Sequence, residues 1–249
     1  MKRFGLIGYP LSHSFSAGYF TQKFEKEHIK DAVYENFSIE SIDQFPGLLK
    51  HHPDFAGLNV TIPYKEKVIP YLDEVNEAAR EVGAVNTIKF LNNNSGKPWL
   101  EGYNTDVYGF DISISPLLTS QHKKALILGT GGASKAIKYI LKKKGISFVS
   151  ASIEELKENE IRYENIDKAM IESHLLIINA TPLGTYPKVD ACPSIPYEYI
   201  TADHVLFDLV YNPEETLFLK KGKAQGAKTM NGLKMLHLQA EKAWEIWNS

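Results

Sequence analysis

Apolar positions fall into short unbroken runs separated by stretches of helical period. Runs at 4–7, 33–39, 55–62, 125–128, 146–151, 175–180 and 204–211 are short, rich in branched or aromatic residues and bounded by turn residues, and so predict buried strands. Between them Phe20, Phe24 and Ile29 share nearby helical faces, as do Val107, Phe110, Ile114 and Leu117. Helices are also expected over 42–49 and 73–82, from 132 to about 144, and from 216 onward. Leu233, Leu236, Ala240, Trp244 and Trp247 recur at three and four residues, giving the terminal helix one strongly apolar stripe.

Strand, helix, strand in this rhythm is α/β architecture with parallel pairing. The segments up to 105 complete a first α/β unit, with a hairpin turn at 92–97 (NNNSGK), and a second unit follows.

Composition narrows the class. The 249 residues are 43% hydrophobic and 23% charged, as expected of a soluble globular protein. Lys plus Arg number 28 against 30 Asp plus Glu, so a net charge of −2 leaves no footprint for nucleic acid or an anionic membrane. Cys192 is the single cysteine, which excludes an internal disulfide and fits a reducing cytoplasm. The run at 4–7 is too short for a signal-peptide core, and no apolar stretch approaches membrane-spanning length. The eight histidines lack metal-ligand spacing, and there is no G-x-S-x-G elbow, so hydrolysis and metal catalysis are not expected.

The most informative chemistry lies in LNVTIPYKE, residues 58–66. Asn59 and Thr61 share one face of an extended strand, and Pro63 turns the chain into an expected helix that returns Lys65 toward that face. Two neutral hydrogen-bonding groups and a cation suit a small polyhydroxylated ligand with a carbonyl. Ser12, Ser14 and Ser16 sit in the turn before the first helix, where Ser16 either caps the helix or joins Ser14 in binding a carboxylate. Asp106 can cap the helix that follows it and also pair with Lys65. In GTGGASKAI, Gly129, Gly131 and Gly132 follow a buried strand and open a helix, the order expected of a dinucleotide phosphate cradle, with Ser134 at the place of the third glycine. The next strand ends in Ser150-Ala151-Ser152, with neither an acid to bind a ribose diol nor an arginine to hold a 2′-phosphate. The absence of an acid favours NADP, with Lys135 and Lys157 as either cationic partners or solvated surface. Gln239 lies off the apolar stripe of the last helix and faces either water or the cleft.

These residues carry a resemblance. GYPLSHSFS, LNVTIPYKE, GAVNT, NTD, LGTGGASKA, NATPLG, DLVYNP and NGLKMLHLQA occur in the order shown by the shikimate dehydrogenase family, and the chain resembles that family from end to end. The resemblance implies two α/β domains with a cleft between them: a substrate domain with a mixed sheet (1–105 plus 233–249) and a Rossmann-like NADP-binding domain (106–232). It implies reduction of 3-dehydroshikimate to shikimate by NADPH, without a metal, by a cytoplasmic monomer or homodimer. A quinate or dual-specificity dehydrogenase and a non-catalytic metabolite-binding relative are the alternatives. By the same resemblance Lys65 and Asp106 form the catalytic pair. Ser14 and Ser16 hold the substrate carboxylate near Tyr211, while Asn59, Thr61, Asn86 and Gln239 meet the ring hydroxyls. Gly129, Gly131, Gly132 and Ala133 cradle the pyrophosphate, Ser150 and Ser152 face the adenosine ribose, and Thr181, Leu183 and Gly232 surround the nicotinamide. Three departures stand out: Ala17 for a proline, Ser150-Ala151-Ser152 for Asn-Arg-Thr, and Thr185 for a methionine. The second removes the expected arginine and implies weaker NADP binding or a relaxed preference over NAD.

Overall fold

Two six-stranded sheets carry the chain; the seven apolar runs all contribute strands, whereas the short strands Glu74–Val75, Glu160–Arg162 and Lys228–Met230 were not among the expected ones. The computed structural model describes residues 1–11, 14–91 and 97–249; Ser12 and most of the 92–97 turn lie outside the described residues. By contacts the chain divides into two compact units, 1–105 with 240–249, and 106–239.

The first unit contains β1 (Lys2–Gly8), α1 (Phe15–Lys26), β2 (Ala32–Ser38), α2 (Phe45–His51), β3 (Phe55–Val60), β4 (Glu74–Val75), α3 (Glu77–Val82), β5 (Thr87–Leu91) and β6 (Trp99–Tyr103). Its strand order is β2-β1-β3-β5-β6-β4. β1 pairs parallel with β2 and β3, whereas β5 runs antiparallel to β3 and β6, so the sheet is mixed. Alternation along β1 sends Phe4 and Leu6 toward a cluster with Phe20, Phe24 and Trp247, and Ile7 toward another with Phe45, Leu58 and Tyr64.

The second unit contains α4 (Thr105–Ile114, counted from its second residue), β7 (Lys124–Leu128), α5 (Gly132–Lys143), β8 (Ser147–Ser152), β9 (Glu160–Arg162), α6 (Lys168–Ser173), β10 (Leu176–Asn179), β11 (Val205–Asp208), α7 (Leu217–Ala224), β12 (Lys228–Met230) and the first part of α8 (Leu233–Asn248). Its sheet, β12-β11-β10-β7-β8-β9, is parallel throughout. Fully buried strands such as Leu176–Asn179 explain their unbroken apolar runs, because helices cover both faces of a parallel sheet.

Two expectations are corrected. The chain after Pro63 forms successive turns and a 3-10 turn at Ile69–Tyr71 instead of a helix, since Pro63 and Pro70 each remove a backbone donor. The helix expected over 73–82 starts only at Glu77. Asp73 is tied to β6 by accepting from the Leu100 N–H (2.8 Å), β4 pairs with β6, and Asn76 caps α3 by accepting from the Ala78 N–H (3.0 Å). By contacts the units part at Ala240, within the terminal helix, because Met235 and Gln239 pack against Gly109 of α4, where an added Cβ would meet the Met235 carbonyl oxygen at 2.5 Å.

Candidate active site

In the first unit the polar side chains gather at the carboxyl ends of the parallel strands, where the backbone turns away. Asn59 ends β3 and is buried; its Oδ1 accepts from the Tyr34 hydroxyl (2.8 Å), and its Nδ2 donates to the Asn86 carbonyl and the Thr87 hydroxyl (3.2 Å each). Both Asn59 donors are thus committed inside the protein, leaving only spare acceptor capacity on Oδ1. Asn86 is 3% exposed, and its Oδ1 accepts from the Thr87 hydroxyl and from the Thr105 N–H (2.7 Å) and hydroxyl. Its Nδ2 has no partner among the described residues, so Asn86 is the amide placed to donate to a ligand.

Lys65 is half-buried and is fixed from behind by its backbone: the Val85 N–H donates to the Lys65 carbonyl at 2.7 Å, one residue before Asn86. The Thr61 N–H donates to the Ile7 carbonyl (2.9 Å) and the Tyr64 N–H to the Thr61 carbonyl (2.9 Å), so the turn after β3 is tied to β1. Asn59, Thr61, Lys65 and Asn86 therefore sit around the end of β3, with a turn and not a helix carrying the lysine.

The helix α1 is capped by Ser14, whose Oγ accepts from the Ala17 N–H at 3.3 Å; Ser16 lies inside the first turn, which corrects the capping role considered for it. The Ser16 hydroxyl lies beside the Tyr34 hydroxyl, and burial raises the Tyr34 pKa far above the ordinary phenol range. Tyr34 thereby links Ser16 to Asn59. No local pattern announces it, because an inward tyrosine in a strand reads as core.

In the second unit Asp106 occupies the first turn of α4 and is 9% exposed, in a position where the helix dipole favours a carboxylate. The glycine turn leaves β7 with Gly129 at φ +100°, a conformation that favours glycine, and a Cβ there would lie 2.8 Å from Thr181. Gly131 precedes α5 and Gly132 opens it; a Cβ added to either meets nothing within 4 Å, so their amides and that of Ala133 border open space. Ser134 closes the turn by donating its hydroxyl to the Gly131 carbonyl (2.6 Å).

A cavity of about 610 Å³ opens over this turn, lined among others by Gly129, Gly131, Ser152, Glu154, Thr181 and Leu183. Ser150 is fully buried, its hydroxyl without a partner among the described residues, and lies outside that lining, so of the two serines only Ser152 faces the cavity. Open space over orphan amides, beside a glycine turn at the carboxyl edge of a parallel sheet, fits a dinucleotide. Gly232 is a glycine for a packing reason, since a Cβ would strike the Leu209 carbonyl oxygen. Tyr211 is 38% exposed just after β11, and Gln239 is half-buried, donating from Nε2 to the Leu236 carbonyl (3.0 Å).

A buried network underlies the cavity floor. Thr181 donates from its N–H (3.0 Å) and hydroxyl (2.6 Å) to Asn179 Oδ1, and Asn179 Nδ2 donates to Asp208 Oδ1 (2.9 Å). Asp208 also accepts from the Thr216 hydroxyl (2.5 Å) and the Val210 N–H (3.0 Å). Burial pushes its carboxyl up to about 6, against the lowering effect of these three donors. Among the described residues no group of three or more His, Cys, Asp or Glu could hold a metal ion, and no helix is long and apolar enough to cross a membrane.

Residues 6–88 match the family model of the shikimate dehydrogenase substrate binding domain. The chain is 39% identical to shikimate dehydrogenase (NADP(+)) of Methanosphaera stadtmanae, over 98% of this chain and 90% of that one. Among solved structures, shikimate dehydrogenase 1 from Peptoclostridium difficile is 40% identical with a TM-score of 0.83, covering 100% of this chain and 92% of its own. The Thermus thermophilus shikimate 5-dehydrogenase, solved in complex with NADP(H) and shikimate, is 30% identical with a TM-score of 0.82, covering 99% and 93%.

Proposed function

The chain belongs to the shikimate dehydrogenase family, and on that premise we propose that it catalyses the reversible NADPH-dependent reduction of 3-dehydroshikimate to shikimate, toward chorismate and the aromatic amino acids. The observation that carries this reading is the gathering of Asn59, Thr61, Lys65 and Asn86 around the end of β3, within the segment matching a substrate-binding model.

Residues 1–105 with the terminal helix serve as the substrate domain, and the glycine-turn unit serves as the NADP domain. Bound NADPH supplies the hydride. Lys65 then provides the cation, or the proton, for the oxygen that gains negative charge as the ketone is reduced. Asp106 is its partner and orients the ammonium. Ser14 and Ser16, with Tyr211, receive the ring carboxylate. Asn86 donates to a ring hydroxyl, Thr61 and Gln239 meet others, and Asn59 contributes as an acceptor while holding Asn86 and Thr87 in place. The amides of Gly131, Gly132 and Ala133 take the pyrophosphate beside Gly129, Ser152 lies toward the adenosine ribose, and Thr181 and Leu183, with Gly232 behind them, lie toward the nicotinamide. A cytoplasmic monomer or homodimer fits this role, the single Cys192 being suited to a reducing compartment.

The direct test is NADP⁺-dependent oxidation of shikimate, run beside quinate. Shikimate should be turned over with the higher kcat/KM. Quinate oxidation as efficient as that of shikimate would move the assignment to a dual-specificity enzyme, and no NADP⁺ reduction with either would refute it.

A further inference from the structure

We propose that Arg162, at the carboxyl end of β9, is the cation that holds the 2′-phosphate of NADP in this chain, replacing the arginine absent from the end of β8. The proposal rests on the reading of NADP as the cofactor.

In a parallel dinucleotide-binding sheet the ribose that carries the 2′ group lies beyond the strand next to the one feeding the glycine turn. Here that strand is β8, paired with β7 so that Leu128 faces Ala151. Ser152 at its end is too short to neutralise a phosphate dianion. The neighbouring strand supplies what is missing: β9 pairs parallel with β8, and Ser152 stands opposite Arg162, one strand spacing of about 4.8 Å away. Parallel neighbours are ordinarily joined by a dozen or more residues, in most cases including a helix. This connection runs only from 153 to 159, with no helix.

The side chain points the same way. Arg162 Nη1 donates to the Glu154 carbonyl at 2.6 Å, and Ser152, Ile153, Glu154 and Tyr163 all line the cavity over the glycine turn. Arg162 does not itself line the cavity, but its guanidinium is tied to the backbone of Glu154, which does. One of its five N–H donors is committed, and it has no carboxylate partner among the described residues. Arginine's planar fork suits a phosphate, and Ser152, whose Oγ accepts from the Glu154 N–H (3.0 Å), keeps its own proton to donate. Lys157 is exposed on the connection and, unlike Arg162, does not stand opposite Ser152 in the sheet, and Lys138 is engaged by Glu160 at 3.6 Å. The exposed Glu154 carboxylate at the cavity opposes the phosphate, so the preference for NADP over NAD is moderate.

Titration calorimetry on the full chain with NADP⁺, NAD⁺ and 2′,5′-ADP, without shikimate, tests this. Arg162→Gln should weaken NADP⁺ and 2′,5′-ADP on the order of 10- to 100-fold while NAD⁺ stays within about threefold. Arg162→Lys, which keeps the charge and guards against a folding failure of the glutamine variant, should retain part of the NADP⁺ advantage. Equal weakening of NADP⁺ and NAD⁺ would make Arg162 a mere brace for the connection and overturn the proposal. Tight NADP⁺ binding insensitive to both substitutions would overturn it while leaving the cofactor reading intact. A wild-type protein binding neither dinucleotide would overturn both.

Discussion

Asn59 and Asn86 look equivalent in the sequence, two amides near strand ends, and they are not equivalent in the fold. Asn59 spends both donors on Asn86 and Thr87 and accepts from Tyr34, so Asn59→Ala takes this acceptor from the buried Tyr34 hydroxyl and should cost about 1–3 kcal/mol of stability, read by chemical denaturation. If that variant were as stable as the wild type and only its KM rose, the structural role assigned to Asn59 would be wrong. Asp208 makes a prediction in pH. Its folded pKa of about 6 lies above its ordinary 3.8, so the stability tied to its neutral form is complete below about 3.8 and is lost as pH rises through 6. Asp208→Asn cannot ionise, so between pH 4 and pH 7 the stability difference should move in the variant's favour by about 2–3 kcal/mol. A difference independent of pH would contradict the burial argument. Neither asymmetry was legible beforehand, because hydrogen-bond partners 27 or 29 positions away leave no local trace.

At the level of elements, what could be read depended on whether a signal was local. The strand, glycine turn and helix at β7 and α5 were legible because each depends on neighbours in sequence. Lys65 reads as helical in the sequence because nothing nearby reveals that the backbone after Pro63 bonds to Val85 instead. Arg162 carries no local signal for the same reason: its place beside Ser152 depends on strand register, and a connection shorter than usual for parallel strands gives no cue to pair them. The apolar stripe of α8 was legible, but its mate was not. Trp247 packs on Phe4 and Phe20, donates its indole N–H to the Ile88 carbonyl (3.0 Å) and lies where any side chain on Gly57 would go. Gly57→Val should therefore destabilise the protein by about 1–3 kcal/mol through overpacking, visible as a lower denaturation midpoint. An unchanged midpoint would mean that the helix yields freely there.

For the whole molecule, the sequence was sufficient for two α/β units and the family, because eight ordered stretches span the chain. Division of labour follows from the two sheets: the mixed one ends in a cluster of amides, hydroxyls and a lysine, the parallel one in a glycine turn and an open cavity. The central claim is that Lys65, partnered by Asp106, meets the charge that hydride transfer creates. Steady-state oxidation of shikimate by wild type, Lys65→Ala, Asp106→Ala and the double variant tests it most directly. Lys65→Ala should lose on the order of 10² to 10⁴ in kcat, and the double variant should lose little more than the lysine variant alone. A Lys65→Ala enzyme turning over at the wild-type rate would contradict the account.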